Sequence, residues 1–212
     1  TSAMVNALEL RIRPNAAHQT PPKKVRNVAA YELYLRGRQL FTTSTDRAST
    51  RHAQRNFEEA LRLDPQFPLA HAGLSDIYAG LAIFGHMPPS DGFARAKASA
   101  LHALALDSTI AEAHTALGHA LCVSEFAWDA ADRSFERAIA LNPTYTFGRM
   151  PYAICLMSRN RFRDAGRQLR TAQSFDPLSP APSNLLGRLY WTMQQPDRAI
   201  PHLLQALELS PQ

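Results

Sequence analysis

Residues Ala111–Pro143, AEAHTALGHALCVSEFAWDAADRSFERAIALNP, decide the fold. Gly118 is small enough to let two helices approach closely, and a short polar break, SEFAWD, separates it from a second helical pattern. In that second pattern Ala131, Phe135 and Ala138 are spaced to share one stripe of a helix. Pro143 then stops the helix, because proline supplies no N–H and its ring crowds the preceding turn. The stretch reads as two helices joined by a tight break, with small residues and one ring turned toward each other.

The same unit recurs along the chain. Pro143, Pro177 and Pro211 stand at equal intervals, and the inner stripe shifts with them to Ala165, Leu169 and Ala172, then to Ala199, Leu203 and Ala206. Upstream, a unit from about Ala30 to Pro65 carries Gly37 in the close-packing slot and Ala53, Phe57 and Ala60 on its second helix, with extra residues within TTSTDRAST. The next has Leu74, Ser75 and Tyr78, then Ala96, Ala100 and Ala103, with Ser108 in place of the proline and a long inter-helix loop. The expected repeats cover about 30–67, 68–110, 111–145, 146–179 and 180–212, in a domain of 28–212 that follows a helix and linker at 1–27.

This combination resembles the tetratricopeptide repeat, a helix-turn-helix unit of about 34 residues that ends in a proline. The resemblance implies an all-α fold, a right-handed α-solenoid of about five helical hairpins preceded by an N-terminal amphipathic helix, whose first helices line a concave surface. It implies a protein-binding scaffold. The strings AYELYLRGR, LAHAGLSDIYA, EFAWDAADRSFERAIALNPTY and FDPLSP, in that order, are similar to the repeat region behind winged-helix transcription regulators and class III adenylate cyclases in bacteria. In such proteins a segment like ALELRIRP closes the preceding domain, and this narrower likeness implies the regulatory or sensory region of a larger cytoplasmic signalling protein. No cyclase-like pair of metal-binding aspartates and no recognition helix is evident, so neither activity is assigned to these residues.

Composition agrees with a helical fold. The chain has 212 residues, 45% of them hydrophobic, which is enough for a substantial core, and no uncharged apolar run is long enough to span a bilayer. Alternating Val/Ile-rich segments are lacking, while Ala and Leu recur at helical spacing. The two cysteines, Cys122 and Cys155, show neither CxxC nor metal-ligand spacing and are expected as free thiols. The chain opens at Thr1 with no signal-peptide pattern and ends just past a repeat proline, and it is expected to be a piece of a longer protein.

Outside the repeats, Val5, Leu8 and Ile12 share a face in SAMVNALELRI, an amphipathic helix ended by Pro14, and NAAHQTPPKKVRN follows as a linker with Lys23, Lys24 and Arg26. The Ser and Thr residues of TTSTDRAST are expected to cap the second helix of the first unit. GHMPPSDGF is expected as a loop carrying Gly85, Pro88, Pro89 and Gly92, either a spacer or a partner contact. Pro151 is expected in the first turn of its helix, and Pro201 to kink the last helix or delay its start.

Reactive chemistry is scarce. Eight histidines are scattered, His71 and His114 occupying the slot where this repeat has a large packing ring, and HExxH, GxSxG and phosphate-cradling glycine loops are absent. No catalytic residue, metal or cofactor is expected. The basic run SRNRFRDAGRQLR contributes to the net charge of +5, but only Arg163, Arg167 and Arg170 share a stripe, so it reads as a solvated outer face and no nucleic-acid or membrane partner is expected.

The partner is expected to be a protein or peptide lying in the groove formed by the first helices. Counting along those helices places Tyr31, Tyr34, Arg38 and Phe41; Leu69, Ala72 and Asp76; Glu112, Thr115, His119 and Cys122; Phe147, Met150, Ile154 and Met157; and Ala181, Asn184, Arg188 and Trp191 on that face. The apolar members, Phe147, Met150, Ile154, Met157 and Trp191, suit recognition through adaptable methionines and an aromatic anchor. Only Asn184 with Arg188 approaches the Lys/Asn clamp by which chaperone-binding repeats hold acidic C-terminal peptides. A small apolar ligand in the groove and a purely structural spacer are the alternatives. In the last helix Ile200, Leu204 and Leu207 lie beside the inner stripe, where the third unit has Asp132, Glu136 and Ile139, so this face is expected to be covered by a further repeat or, as a weak homodimer, by another copy.

Overall fold

The computed structural model describes residues 26–43 and 46–210, and among these it shows ten helices and no strand. In chain order they are α1 (Val28–Thr43), α2 (Arg47–Leu63), α3 (Pro68–Ile83), α4 (Pro89–Leu106), α5 (Ala111–Ser124), α6 (Trp128–Leu141), α7 (Thr146–Ser158), α8 (Phe162–Phe175), α9 (Pro180–Thr192) and α10 (Pro196–Leu209). The expected helix in 2–12, the linker lysines and Pro211 lie outside the described residues. Successive helices pair as hairpins, and the chain divides into two compact units: Lys23–Pro143 holds α1–α6, and the unit that takes in Thr144–Gln212 holds α7–α10.

Helix ends are set by local chemistry. Asn27 Oδ1 accepts from Ala30 N at the start of α1, and Asp46 Oδ1 accepts from Ala48 N and Ser49 N at the start of α2. The cap of α2 is therefore this aspartate, not the neighbouring Ser and Thr residues. Second helices stop at an Asx residue: Asp64, Asp107, Asn142 and Asp176 are the C-caps of α2, α4, α6 and α8. Asp64 and Asp107 turn the chain toward the next hairpin by accepting from the amides of Gln66 and Thr109. Inside the last three hairpins the turn rests on one left-handed residue each, Phe126, Asn160 and Gln194, with φ of 51°, 58° and 57°. They recur at the same interval as the prolines.

The hairpins close by setting a second-helix side chain against the glycine of a first helix. A Cβ added at Gly37 or Gly73 would come within 2.7 Å of the Phe57 ring, so one ring occupies notches on both α1 and α3. Phe135 sits on Gly118 with the same economy, at 3.1 Å from such a Cβ, and Leu203 sits on Gly187 at 2.5 Å. Around these anchors the alanine stripes Ala53/Ala60, Ala96/Ala100/Ala103, Ala165/Ala172 and Ala199/Ala206 are buried, which lets neighbouring helices pack at short range.

Several expectations are corrected. Cys122 and Cys155 are not free thiols; both are disulfide-bonded. Pro151 lies inside α7, beyond its first turn, and α10 shows no delayed start, since it begins at Pro196 with Pro201 inside it. Pro201 withdraws the donor for the Asp197 carbonyl, and both residues are exposed, so water can replace the missing bond. Most of the GHMPPSDGF insert is helix: α4 begins at Pro89, where a missing N–H costs nothing, and buries Gly92 against Ala82.

Glycine substitution tests this packing. Gly37→Ala is expected to lower stability by about 1–3 kcal/mol, because the buried Phe57 ring must move. Gly80→Ala, whose Cβ meets nothing nearer than Phe41 at 3.7 Å, is expected to be neutral or to stabilise by up to about 1 kcal/mol through helix propensity. Urea unfolding of the two variants distinguishes them.

Candidate functional site

On the first helices of the Lys23–Pro143 unit, the expected groove residues separate into core and face. Tyr34 belongs to the core. Its ring lies 5.9 Å from Phe57 and 5.6 Å from Phe67, edge-on to the latter, and stacks with Tyr31 at 6.1 Å. Burial pushes the Tyr34 hydroxyl well above its ordinary range. This corrects its placement on an open surface, because α3 packs over that part of α1. Tyr31 and Phe41 are half-buried at the margin of the same cluster. Thr115 is likewise buried, at 1% exposure, and its hydroxyl has no hydrogen-bond partner.

The remaining polar members converge. Arg38 Nη1 on α1 donates to Asp76 Oδ2 on α3 at 3.1 Å, and the two side chains are only 7% and 12% exposed. Removing a charge pair from water has a cost that the pairing recovers only in part. Burial accordingly raises Asp76 from an ordinary 3.8 to about 6; Arg38 opposes the shift and the charge of Glu112 on α5 adds to it. Glu112 is itself held above the usual carboxylate range, chiefly by burial. One turn beyond Thr115, the half-buried His119 is driven down to about 4 by loss of solvation and is neutral at ordinary pH.

In the unit with Thr144–Gln212 the face is more open and apolar. Phe147, Met150 and Met157 are half-buried on α7, Ile154 is 41% exposed, and on α9 Asn184, Arg188 and Trp191 are exposed, Trp191 at 64%. The basic run is largely paired within the chain: Asp164 accepts from Arg161 at 2.8 Å and from Arg167 at 2.7 Å, while Arg170 Nη1 donates to the Tyr190 hydroxyl. Sequence reasoning missed the surroundings of Tyr190, whose hydroxyl also accepts from Arg198 at 2.8 Å and whose ring stacks on His202. Arg198 lies beyond Tyr190 across a turn that no single-helix spacing rule spans. It also missed the exposed edge where Phe126 meets Trp128 at 5.3 Å.

Among the described residues, no group of three or more His, Cys, Asp or Glu side chains could hold a metal ion, and no helix is long and apolar enough to cross a membrane.

Comparison with known proteins bears on the fold. Residues 183–212 match the family model of the tetratricopeptide repeat. A search of the curated proteins finds no match. Among solved structures, the chain is similar to TTC0263, a thermophilic TPR protein in Thermus thermophilus, at 20% identity and a TM-score of 0.69, over 87% of this chain and 93% of that one. PilW, a widely conserved type IV pilus biogenesis factor, is similar at 21% identity and a TM-score of 0.59, over 86% of this chain and 78% of its own. MamA follows at 23% identity and 0.52, over 82% and 93%. The class is thereby defined: an all-α fold of helical hairpins of the tetratricopeptide type.

The buried titratable groups make a pH prediction with opposing signs. Between pH 3.8 and about 6 the folded chain holds a proton on Asp76 that the unfolded chain lacks, so this group lowers stability as pH rises. Glu112 acts in the same direction. Between about pH 4 and 6.5 the unfolded chain holds a proton on His119 that the folded chain lacks, so this group raises stability as pH rises. Each full proton is worth about 1.4 kcal/mol per pH unit. Urea unfolding from pH 4 to 6.5 should show His119→Gln turning the stability slope downward and Asp76→Asn turning it upward, relative to the unsubstituted chain. Identical slopes in all three would contradict the buried placement.

Proposed function

We propose that the chain is a non-catalytic protein-interaction scaffold that binds a peptide or helix along its first-helix faces. The observation that carries this reading is the exposure of Ile154 and Trp191 on the first helices of the Thr144–Gln212 unit, beside half-buried Met150 and Met157. Large apolar side chains left in water on the face opposite the packed second helices are what a partner would cover. PilW, which shares the fold, is described as a pilus biogenesis factor, and such a role fits a scaffold. The ordered strings AYELYLRGR to FDPLSP support a narrower reading, the regulatory or sensory region of a larger bacterial signalling or transcription-regulatory protein. Pull-down from a native extract tests the scaffold. Trp191→Ala and Met157→Glu should each reduce partner capture at least about tenfold while helix content is kept; full capture by both folded variants would overturn the assignment of this face.

The last helix extends the same reading to association between copies. Ile200, Leu204 and Leu207 are 51%, 54% and 63% exposed. Three aliphatic side chains contribute at most roughly 5–9 kcal/mol on burial, and association costs at least about 4. A dimer through this patch is therefore expected to have a dissociation constant no tighter than about 0.1 mM. Light scattering over a concentration series should show mass rising for the unsubstituted chain and constant for Leu204→Glu. Constant mass for both would show that this face does not self-associate.

A further inference from the structure

We infer that Arg170 and Arg198, on the second helices α8 and α10, together form a binding site for a phosphomonoester dianion. The site lies off the first-helix face and stands or falls independently of the scaffold reading.

Charge distribution is the first observation. Residues 144–212 carry eight arginines against four carboxylates and so hold four of the five net positive charges, whereas 23–143 is balanced, with thirteen basic and thirteen acidic residues. Asp164 answers two of the eight, accepting from Arg161 and Arg167. Arg170 and Arg198 form no ion pair among the described residues, and the acids of α10, Asp197 and Glu208, pair with neither.

Convergence is the second. Both guanidinium groups come to one oxygen, the hydroxyl of buried Tyr190 on α9: Arg198 Nη2 donates at 2.8 Å and Arg170 Nη1, more loosely, at 3.5 Å. The two nitrogens are therefore no further apart than these distances together. Arg198 also lies over the Tyr190 ring, 4.1 Å from its centroid, and donates to Gln195 Oε1. His202 stacks on the same ring at 5.5 Å, and it is held below its ordinary range by burial first, then by the charges of Arg198 and Arg170. Gln173 Nε2 on α8 donates to Gln205 Oε1 on α10 at 3.1 Å, which ties the two helices together alongside the arginines. Two cations thus meet at one place where only neutral oxygens accept from them.

Position is the third. Arg198 stands in the first turn of α10, where the positive end of the helix disfavours a cation. Both arginines are exposed, so an incoming anion reaches them without opening the core. An anion here relieves the repulsion between the guanidinium groups and the unfavourable helix-end charge at once.

The arrangement also selects the anion. A carboxylate brings one charge and two oxygens, which a single guanidinium can take side-on. A phosphomonoester brings nearly two charges and three terminal oxygens, so it can accept from both planar forks and neutralise both.

NMR of the arginine Nε–H signals, in the whole chain at neutral pH and in phosphate-free buffer, tests this. The probes are inorganic phosphate, a phosphoserine peptide, the same peptide unphosphorylated, and dimethyl phosphate, a monoanionic diester. Signals of Arg170 and Arg198 should shift saturably with the first two and not with the others. Tighter binding of the phosphopeptide than of inorganic phosphate assigns the site to a phosphorylated protein partner, and the reverse order assigns it to a small phosphate. Arg170→Gln and Arg198→Gln should each weaken phosphate binding at least about tenfold with helix content unchanged. Arg163→Gln, which removes the same charge from an exposed position of α8, should leave it unchanged. No saturable shift into the tens of millimolar, equal weakening by all three substitutions, or a diester bound as well as phosphate would overturn the site.

Discussion

The seat of an aromatic ring on glycine is the interaction on which the rest of the molecule depends. Phe57 is fully buried and faces Gly37 of its own hairpin and Gly73 of the next, so one side chain sets the approach of α1, α2 and α3 together. Removing such a ring costs about 3–5 kcal/mol, a large share of what a small helical unit has. Hairpins of two short helices cannot bury their faces alone, and this shared ring is how the first hairpin borrows a surface from the second.

The proposed partner-binding face inherits its geometry from that seat. Arg38 follows Gly37 in sequence, and Asp76 is one turn beyond Gly73, so the ring that fixes the glycines also fixes the distance between the two charged side chains. Their pairing at 3.1 Å, the raised carboxylates and the neutral His119 follow from holding polar groups against a packed interior. The Thr144–Gln212 unit uses the same scaffold with different surface chemistry, presenting Ile154 and Trp191 where the other presents charge. One fold thus carries two kinds of first-helix chemistry, ionic and apolar.

Much of this was legible in the sequence, for a physical reason: the repeat writes its packing rule several times over. Gly118 with Phe135, and Gly37 with Phe57, announce themselves because in both units a glycine on the first helix is followed by a ring between two alanines on the second. What a single helix's periodicity cannot say is which stripe a neighbour covers. Tyr34 lies on the same stripe as Arg38 yet belongs to the core, and Thr115 is buried on a stripe where Glu112 and His119 are half-buried. Relations between helices were equally hidden: the Arg38–Asp76 pair and the arginines around Tyr190 join residues that no local motif connects, and no spacing rule announces the oxidation of Cys122 and Cys155. Proline positions are less legible: Pro151 sits inside α7 beyond its first turn, and the late start allowed for at Pro201 does not occur.

Native-state hydrogen exchange on Phe57→Leu is the most direct measurement of the central claim, that this one ring couples the two first helices carrying Arg38 and Asp76. A smaller side chain should loosen both notches at once, so amides of α1 and α3 are predicted to lose protection together and by similar factors. Loss confined to α2, where the substitution lies, with α1 and α3 unchanged, would contradict the account.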